Sequence, residues 1–78
     1  MTEQNQHNID KQFLIECLTD ATIQMLMEDE GMDIQTAMHT LYTSDTYRKL
    51  ENEATGLYYQ SPVYIYDMLK QEQKNDNQ

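Results

Sequence analysis

The single cysteine and the two histidines are the residues of this chain that could carry nucleophilic or acid–base chemistry. Cys17 falls on the apolar stripe of a predicted helix, where a buried thiol is inert and behaves as a small hydrophobic side chain. His7 lies in a polar amino-terminal segment. His39 lies between the apolar Met38 and the polar Thr40 on a second predicted helix and is expected to be partly exposed. We therefore expect the protein not to be an enzyme, with a Cys17–His39 dyad as the enzymatic alternative.

Carboxylates are densest in an acidic patch, residues 28–33, which begins at Glu28 and ends at Asp33. Clustered carboxylates attract divalent cations, but this segment lacks the alternating Asp positions and the terminal Glu of a calcium loop. The histidines and the cysteine also do not form a pair at a zinc-ligand spacing. We expect a solvated helix end without a metal or other cofactor. The alternative is a metal-dependent regulator that uses this patch, or Cys17 with His39.

Tyrosines are the feature that most strongly indicates a binding function. Four of the six, Tyr58, Tyr59, Tyr64 and Tyr66, fall close together in the sequence. Tyrosine buries a large ring, keeps a hydroxyl for water or a partner, and is enriched at interfaces. These four are the candidate partner-binding residues. The alternative is that their rings fill a core that is short of large side chains.

The first of the helices that must position these residues is expected to run from Ile9 or Asp10 to about Glu30. Asn8 is its predicted N-cap, and Gly31 is its predicted left-handed C-cap. Apolar residues recur three and four positions apart, which is the pattern of one buried stripe. The predicted stripe comprises Phe13, Leu14, Cys17, Leu18, Ala21, Met25 and Leu26, widened by Ile23 and Met27.

Two shorter helices are predicted next. Asp33 is expected to cap the second helix and Ser44 the third, which extends from Asp45 to about Glu53 ahead of Gly56. Their predicted apolar faces are Ile34, Ala37, Met38 and Leu41, with Tyr42 beside them, and then Tyr47, Leu50 and Ala54.

The segment 57–60 is predicted to be extended or 3₁₀. Ser61 followed by Pro62 is a strong helix start, because proline at the first helical position loses no hydrogen bond. The last helix is expected to end near Gln71. Its apolar residues are Val63, Ile65, Tyr66, Met68 and Leu69. Tyr64 and Tyr66 project about 200° apart, so Tyr64 is expected at the surface if Tyr66 is inside.

The chain is therefore predicted to be all-α, a small bundle of three to four helices. One domain is expected over residues 9–71, between polar tails at 1–8 and 72–78 that are predicted to be disordered. A chain of 78 residues buries a modest share of its surface. Self-association or a protein partner is therefore the expected source of additional stability.

The net charge of −9, from 14 acidic and 5 basic residues, opposes binding to nucleic acid or anionic lipid, since both depend on Lys and Arg. A helix-turn-helix around residues 41–47 would offer only Arg48 and Lys49, beside Glu51 and Glu53. No apolar run approaches the ~20 residues of a membrane span, and the start of the sequence lacks a signal-peptide core. We expect no nucleic-acid or membrane partner and a cytoplasmic location.

Several cap and core positions form a recognisable set: Phe-Leu-Ile-Glu-Cys-Leu at 13–18, Glu-Gly-Met at 30–32, Ala37, and most distinctively Thr-Gly-Leu-Tyr at 55–58, Ser-Pro at 61–62 and Tyr-Ile-Tyr-Asp at 64–67. This set, spread over roughly residues 10–72, resembles a family of small bacterial helical proteins of unknown function. Members are often encoded beside toxin-like genes. The resemblance implies at most the role of an acidic partner of a toxin-like protein, and it carries no catalytic residues.

The sequence thus predicts a non-enzymatic protein–protein interaction module, either an antitoxin-like or regulatory partner or a self-associating protein such as a homodimer. The metal-binding or enzymatic regulator is the first alternative. The second is an acidic DNA mimic, which would require carboxylates arrayed in rows on one face.

Overall fold

The computed structural model describes residues 10–76, which form four α-helices and two 3₁₀ turns. The helices are α1 (Lys11–Glu30), α2 (Ile34–Tyr42), α3 (Asp45–Glu51) and α4 (Pro62–Asp76). The 3₁₀ turns, Glu53–Thr55 and Leu57–Tyr59, lie between α3 and α4. No strand occurs among these residues, so the predicted small all-α bundle is confirmed. Within the same residues, no helix is both long and apolar enough to cross a lipid bilayer.

Local hydrogen bonds define the helix ends at most of the predicted positions. Asp33 accepts from the backbone N–H of Thr36, and Ser44 accepts from that of Tyr47. Gly31 and Gly56 have φ of 73° and 71°, a left-handed conformation in which a Cβ would be strained. These caps confirm the predicted ends of α1 and starts of α2 and α3.

Three predicted helix boundaries were wrong. Asp10 itself is the N-cap of α1, since its side chain accepts from the N–H of Gln12 at 3.1 Å. The predicted cap Asn8 lies outside the described residues. α3 ends at Glu51, where Asn52 caps a 3₁₀ turn instead. α4 continues past Gln71, so residues 72–76, predicted to belong to a disordered tail, are helical.

The core consists of two clusters of buried apolar side chains, and α1 and α4 contribute to both. The first comprises Ile15, Leu18, Leu50, Tyr58 and Ile65. The second comprises Ile23, Leu26, Ala37, Leu41 and Leu69. Tyr47 packs against both clusters and joins the two ends of the bundle.

The buried face of α1 is rotated away from the predicted stripe. Phe13 is 58% exposed and Cys17 is exposed, whereas Thr19 and Thr22 are buried. Each threonine donates its hydroxyl to the carbonyl oxygen four residues earlier, at 2.7 Å. Because the hydroxyl is satisfied inside the helix, the methyl group can pack in the core. The apolar pattern treats threonine as polar and therefore misplaces the face.

Four other residues predicted on buried faces are at the surface, and one of them is Ala54 of the first 3₁₀ turn. Ile34 and Met38 on α2 are exposed, which leaves Ala37 and Leu41 as the buried face of that helix. Val63 on α4 is also exposed, while Ile65 and Leu69 are fully buried. The short helices carry more apolar residues than the core has room for.

A carboxylate of α4 provides part of the cap of α3. Glu72 accepts from the backbone N–H groups of Asp45 and Thr46, both at 2.9 Å, and from the Thr46 hydroxyl at 2.8 Å. Backbone N–H groups in the first turn of a helix have no partner within the helix, and the helix dipole favours a negative charge there. Glu72 therefore ties the second half of α4 to the start of α3.

We expect Glu72→Gln to lower the free energy of unfolding by about 1 kcal/mol, because the variant loses the charge and one of the two acceptor oxygens at a helix N-terminus. Urea denaturation followed by circular dichroism at pH 7 measures this loss. Glu16→Gln, an exposed change of the same type, is the control. Equal stability of the two variants would contradict the role assigned to Glu72.

Candidate functional site

The structure separates the four candidate tyrosines into two that are engaged within the chain and two that are exposed. Tyr58 is buried in the first core cluster. Tyr66 is half-buried and packs against the second cluster. Tyr59 and Tyr64 are 75% and 47% exposed, and the exposure of Tyr64 agrees with the prediction from helix geometry. Of the four, Tyr59 and Tyr64 are therefore the two whose rings are accessible to a partner.

The ring of Tyr58 is held on two sides. Tyr59 packs on it with 4.5 Å between ring centroids, and the Lys11 ammonium lies 5.7 Å from its centroid. A cation over an aromatic face is attracted by the electron density of the ring. Tyr58 thus has a structural role at the junction of α1 and the 3₁₀ turn.

Tyr66 belongs to a cluster that closes the carboxyl end of α1. Its hydroxyl donates to the Glu30 carboxylate at 2.9 Å, and the same carboxylate oxygen accepts from the Lys70 ammonium. These two hydrogen bonds, led by that from Lys70, hold the pKa of Glu30 below its usual value of 4.5. Burial, and then the bond to Glu30, raises the pKa of Tyr66 to about 12.

The lowered pKa of Glu30 sets the pH range in which this cluster stabilises the fold. Since the unfolded chain binds the Glu30 proton more tightly, the contribution is present above pH 4.5 and is lost as the pH falls through the lowered folded pKa. We expect Glu30→Gln to be less stable than the wild type at pH 7 and to have a smaller deficit at pH 3, where the carboxylate is closer to its lowered pKa. Urea denaturation at both pH values measures the difference.

Glu16→Gln removes a carboxylate of the same helix that takes no part in this cluster. Its stability relative to the wild type should change much less between pH 7 and pH 3. A deficit of Glu30→Gln that is the same at both pH values would contradict the ion pair.

The acidic patch is largely taken up by contacts within the chain. Glu30 binds Tyr66 and Lys70, Asp33 caps α2, and Glu28 accepts from the side-chain amide of Gln24 at 2.8 Å. Among residues 10–76, no group of three or more His, Cys, Asp or Glu side chains is placed to hold a metal ion.

Cys17 and His39 are both at the surface, Cys17 on α1 and His39 on α2. The prediction that the Cys17 thiol is buried was wrong, because the buried face of α1 is centred on Ile15, Leu18 and Thr22. The position of His39 agrees with the prediction that it is exposed.

We expect Cys17 to react with a thiol reagent such as 5,5′-dithiobis(2-nitrobenzoate) in the folded protein at a rate within about tenfold of that in urea, because access limits the reaction of a thiol. Absorbance of the released thiolate measures both rates. Protection of several orders of magnitude in the native state would place Cys17 in the core instead.

A surface that the sequence did not single out lies between α1 and α2. Ile34, Met38 and Tyr42 follow one another at four-residue intervals on α2 and are 54%, 37% and 42% exposed. With the buried Ile23 and the half-buried Met27 of α1, they line a shallow depression of about 240 Å³. We call this surface the α1–α2 groove.

The edges of the α1–α2 groove are polar. Asp20 and Gln24 of α1 complete its lining. Asp20 and Tyr42 also line an adjoining, more polar depression of about 350 Å³. The remaining residues of that depression are Gln12, Glu16, Thr19 and Tyr47. The two depressions thus form one continuous surface with an apolar part and a polar, acidic part.

The ring of Tyr42 is fixed at the boundary between these two parts. It meets the Tyr47 ring edge to face, with 5.0 Å between centroids and 76° between planes. Tyr47 is itself packed against both core clusters. An exposed ring held in this way loses little side-chain entropy on binding.

The spacing of Ile34, Met38 and Tyr42 in the sequence could have revealed this surface. α2 has apolar residues at 34, 37, 38, 41 and 42, a stripe wide enough to face both the core and a partner. Which part of the stripe is buried depends on where α1 and α4 pack.

Comparison of the chain with protein-family models, curated proteins and solved structures finds no match in any of the three. The functional assignment therefore depends on the geometry of residues 10–76, and the family resemblance of the sequence stays a prediction.

Proposed function

We propose that this protein is a non-enzymatic protein–protein interaction module and that the α1–α2 groove is its binding surface. The observation that carries the proposal is the row of exposed apolar side chains Ile34, Met38 and Tyr42 beside Ile23 and Met27. Scattered exposed apolar residues are ordinary, whereas a contiguous apolar patch with a polar edge is typical of an interaction site.

The residue types of the groove fit this role. Methionine has three rotatable bonds and a polarisable sulfur, so Met27 and Met38 can adapt to the shape of a partner. Tyr42 is an aromatic anchor of the kind that dominates binding energy in interfaces. The buried floor provided by Ile23 belongs to the second core cluster and gives these flexible side chains a fixed base.

The proposal includes a regulatory role. One form of it is the antitoxin-like role that the family resemblance implies. The proposal also includes self-association, since a second copy, like a different partner, would increase the surface that a small domain buries. We also propose that the protein acts in the cytoplasm, because a lone exposed thiol such as Cys17 persists in a reducing compartment.

Tyr59 and Tyr64 form a second candidate surface. They are the two residues of the predicted tyrosine site that remain exposed. Substitution distinguishes this surface from the α1–α2 groove.

The experiment combines light scattering during gel filtration with affinity capture from the native host and mass spectrometry. We expect the wild type to capture a partner or to associate with a second copy, and we expect Met38→Gln to lose this interaction. Glutamine keeps the length and helix propensity of methionine but is polar. Val63→Thr, a change of similar polarity on α4, is the matched control and should retain the partner. Both substitutions are at exposed positions and should leave stability within about 0.5 kcal/mol.

Loss of the partner in Tyr59→Ser or Tyr64→Ser but not in Met38→Gln would move the binding surface to the tyrosines. A strictly monomeric wild type that captures nothing would overturn the interaction module itself.

A further inference from the structure

We infer that the occupant of the α1–α2 groove is an amphipathic helix of another protein, with Lys or Arg residues beside its apolar face. The inference rests on the proposed function and names the chemistry of the partner. Three properties of the protein carry it: the length of the groove, the distribution of charge around it, and the charge of a second copy of this chain.

The groove has the length of two helical turns. Its lining extends from Asp20 to Met27 on α1 and from Ile34 to Tyr42 on α2, which at 1.5 Å per residue is about 10 to 12 Å. A depression between two packed helices, with apolar residues along both walls, is the form of site that receives a third helix through side chains at i, i+3 or i+4, and i+7. No sheet edge is present among residues 10–76 to receive an extended strand.

The charge beside the groove is negative. Asp20 lies at the edge of the apolar part, and Glu16 lines the adjoining polar part. None of the five basic residues of the chain lines either depression. A partner helix with Lys or Arg flanking its apolar residues would place them opposite these carboxylates, which favours encounter and fixes orientation.

The basic residues of this chain are mostly occupied elsewhere. Lys70 pairs with Glu30, Arg48 with Asp45, and Lys11 approaches Glu53 at 3.9 Å. Among residues 10–76, Glu16 and Asp20 therefore form no ion pair within the chain and are available to a partner.

A second copy of the chain fits the groove poorly. It would bring a further net charge of −9 to a surface that is already acidic, and like charges oppose association. A basic helix removes this repulsion and buries the same apolar side chains.

The test uses synthetic peptides of about 18 residues, long enough to form a helix on binding. The first peptide has leucines along one face and lysines on both sides of that face. The second has the same composition in an order that scatters the leucines, and the third has glutamates in place of the lysines. We expect the first to bind the full chain at least about tenfold more tightly than either of the others, a difference of about 1.4 kcal/mol. Isothermal titration calorimetry measures the three dissociation constants.

Two variants with matched controls locate the site. We expect Met38→Gln to weaken binding of the first peptide about tenfold, and Asp20→Asn about two- to fivefold, the range of an exposed ion pair. The controls Val63→Thr and Asp67→Asn are equivalent changes on α4 and should alter the dissociation constant less than about twofold. Backbone amide shifts in two-dimensional NMR should change at residues 20–27 and 34–42 when the first peptide is added.

Equal binding of the ordered and scattered lysine peptides would overturn the inference, because it would indicate attraction between net charges alone. Backbone amide shifts confined to α4 would also overturn it. So would a dimer, seen in light scattering, that the Met38→Gln substitution dissociates. If host capture depends on Met38 but the ordered peptide does not bind, the interaction module stands and the basic helix is wrong. If neither is observed, both fail.

Discussion

The face of α1 that extends from Ile15 to Leu26 is buried along its length, and α2, α3 and α4 all contact this helix. Both core clusters depend on this face, since each takes two of its buried residues from α1. Two threonines lie in its middle, and their hydroxyls are satisfied by carbonyl oxygens of the helix itself. The bundle is possible because these polar groups need no partner from another element, so other helices can pack directly on α1.

Two carboxylates fix the position of α4 against α1 and α3. Glu72 binds the free N–H groups of α3, and Glu30 of α1 accepts from Tyr66 and Lys70. In a chain of net charge −9, repulsion among carboxylates opposes compaction. Placing some of them on helix N-termini, as with Asp10, Asp33 and Glu72, and others beside lysines turns part of that charge into stabilising contacts. The acidic patch is thus mainly a structural feature.

The proposed binding surface, the α1–α2 groove, is an apolar area that this packing leaves uncovered. α2 buries Ala37 and Leu41, and the same short helix has no further neighbour to cover Ile34, Met38 and Tyr42 among residues 10–76. Tyr42 is nonetheless held by Tyr47, which links it to both core clusters. An exposed apolar row on a rigid base lies beside Glu16 and Asp20, two carboxylates that form no ion pair among residues 10–76. This combination has the chemistry of a site for a basic amphipathic segment.

Local sequence patterns predict the fold class, a bundle of three to four helices, and the caps at Gly31, Asp33 and Ser44. These predictions succeed because each cap is a contact between residues at most five positions apart, so its geometry is local. Packing between the helices determines which face of α1 is buried, that Tyr58 is inside while Tyr59 is outside, and that α4 continues to Asp76. It also determines that the apolar row of α2 stays at the surface. Whether a residue is buried depends on which helix packs against its face. The short helices have more apolar residues than the core can bury. The candidate site therefore emerged from packing, although the spacing of its residues on α2 was already visible in the chain.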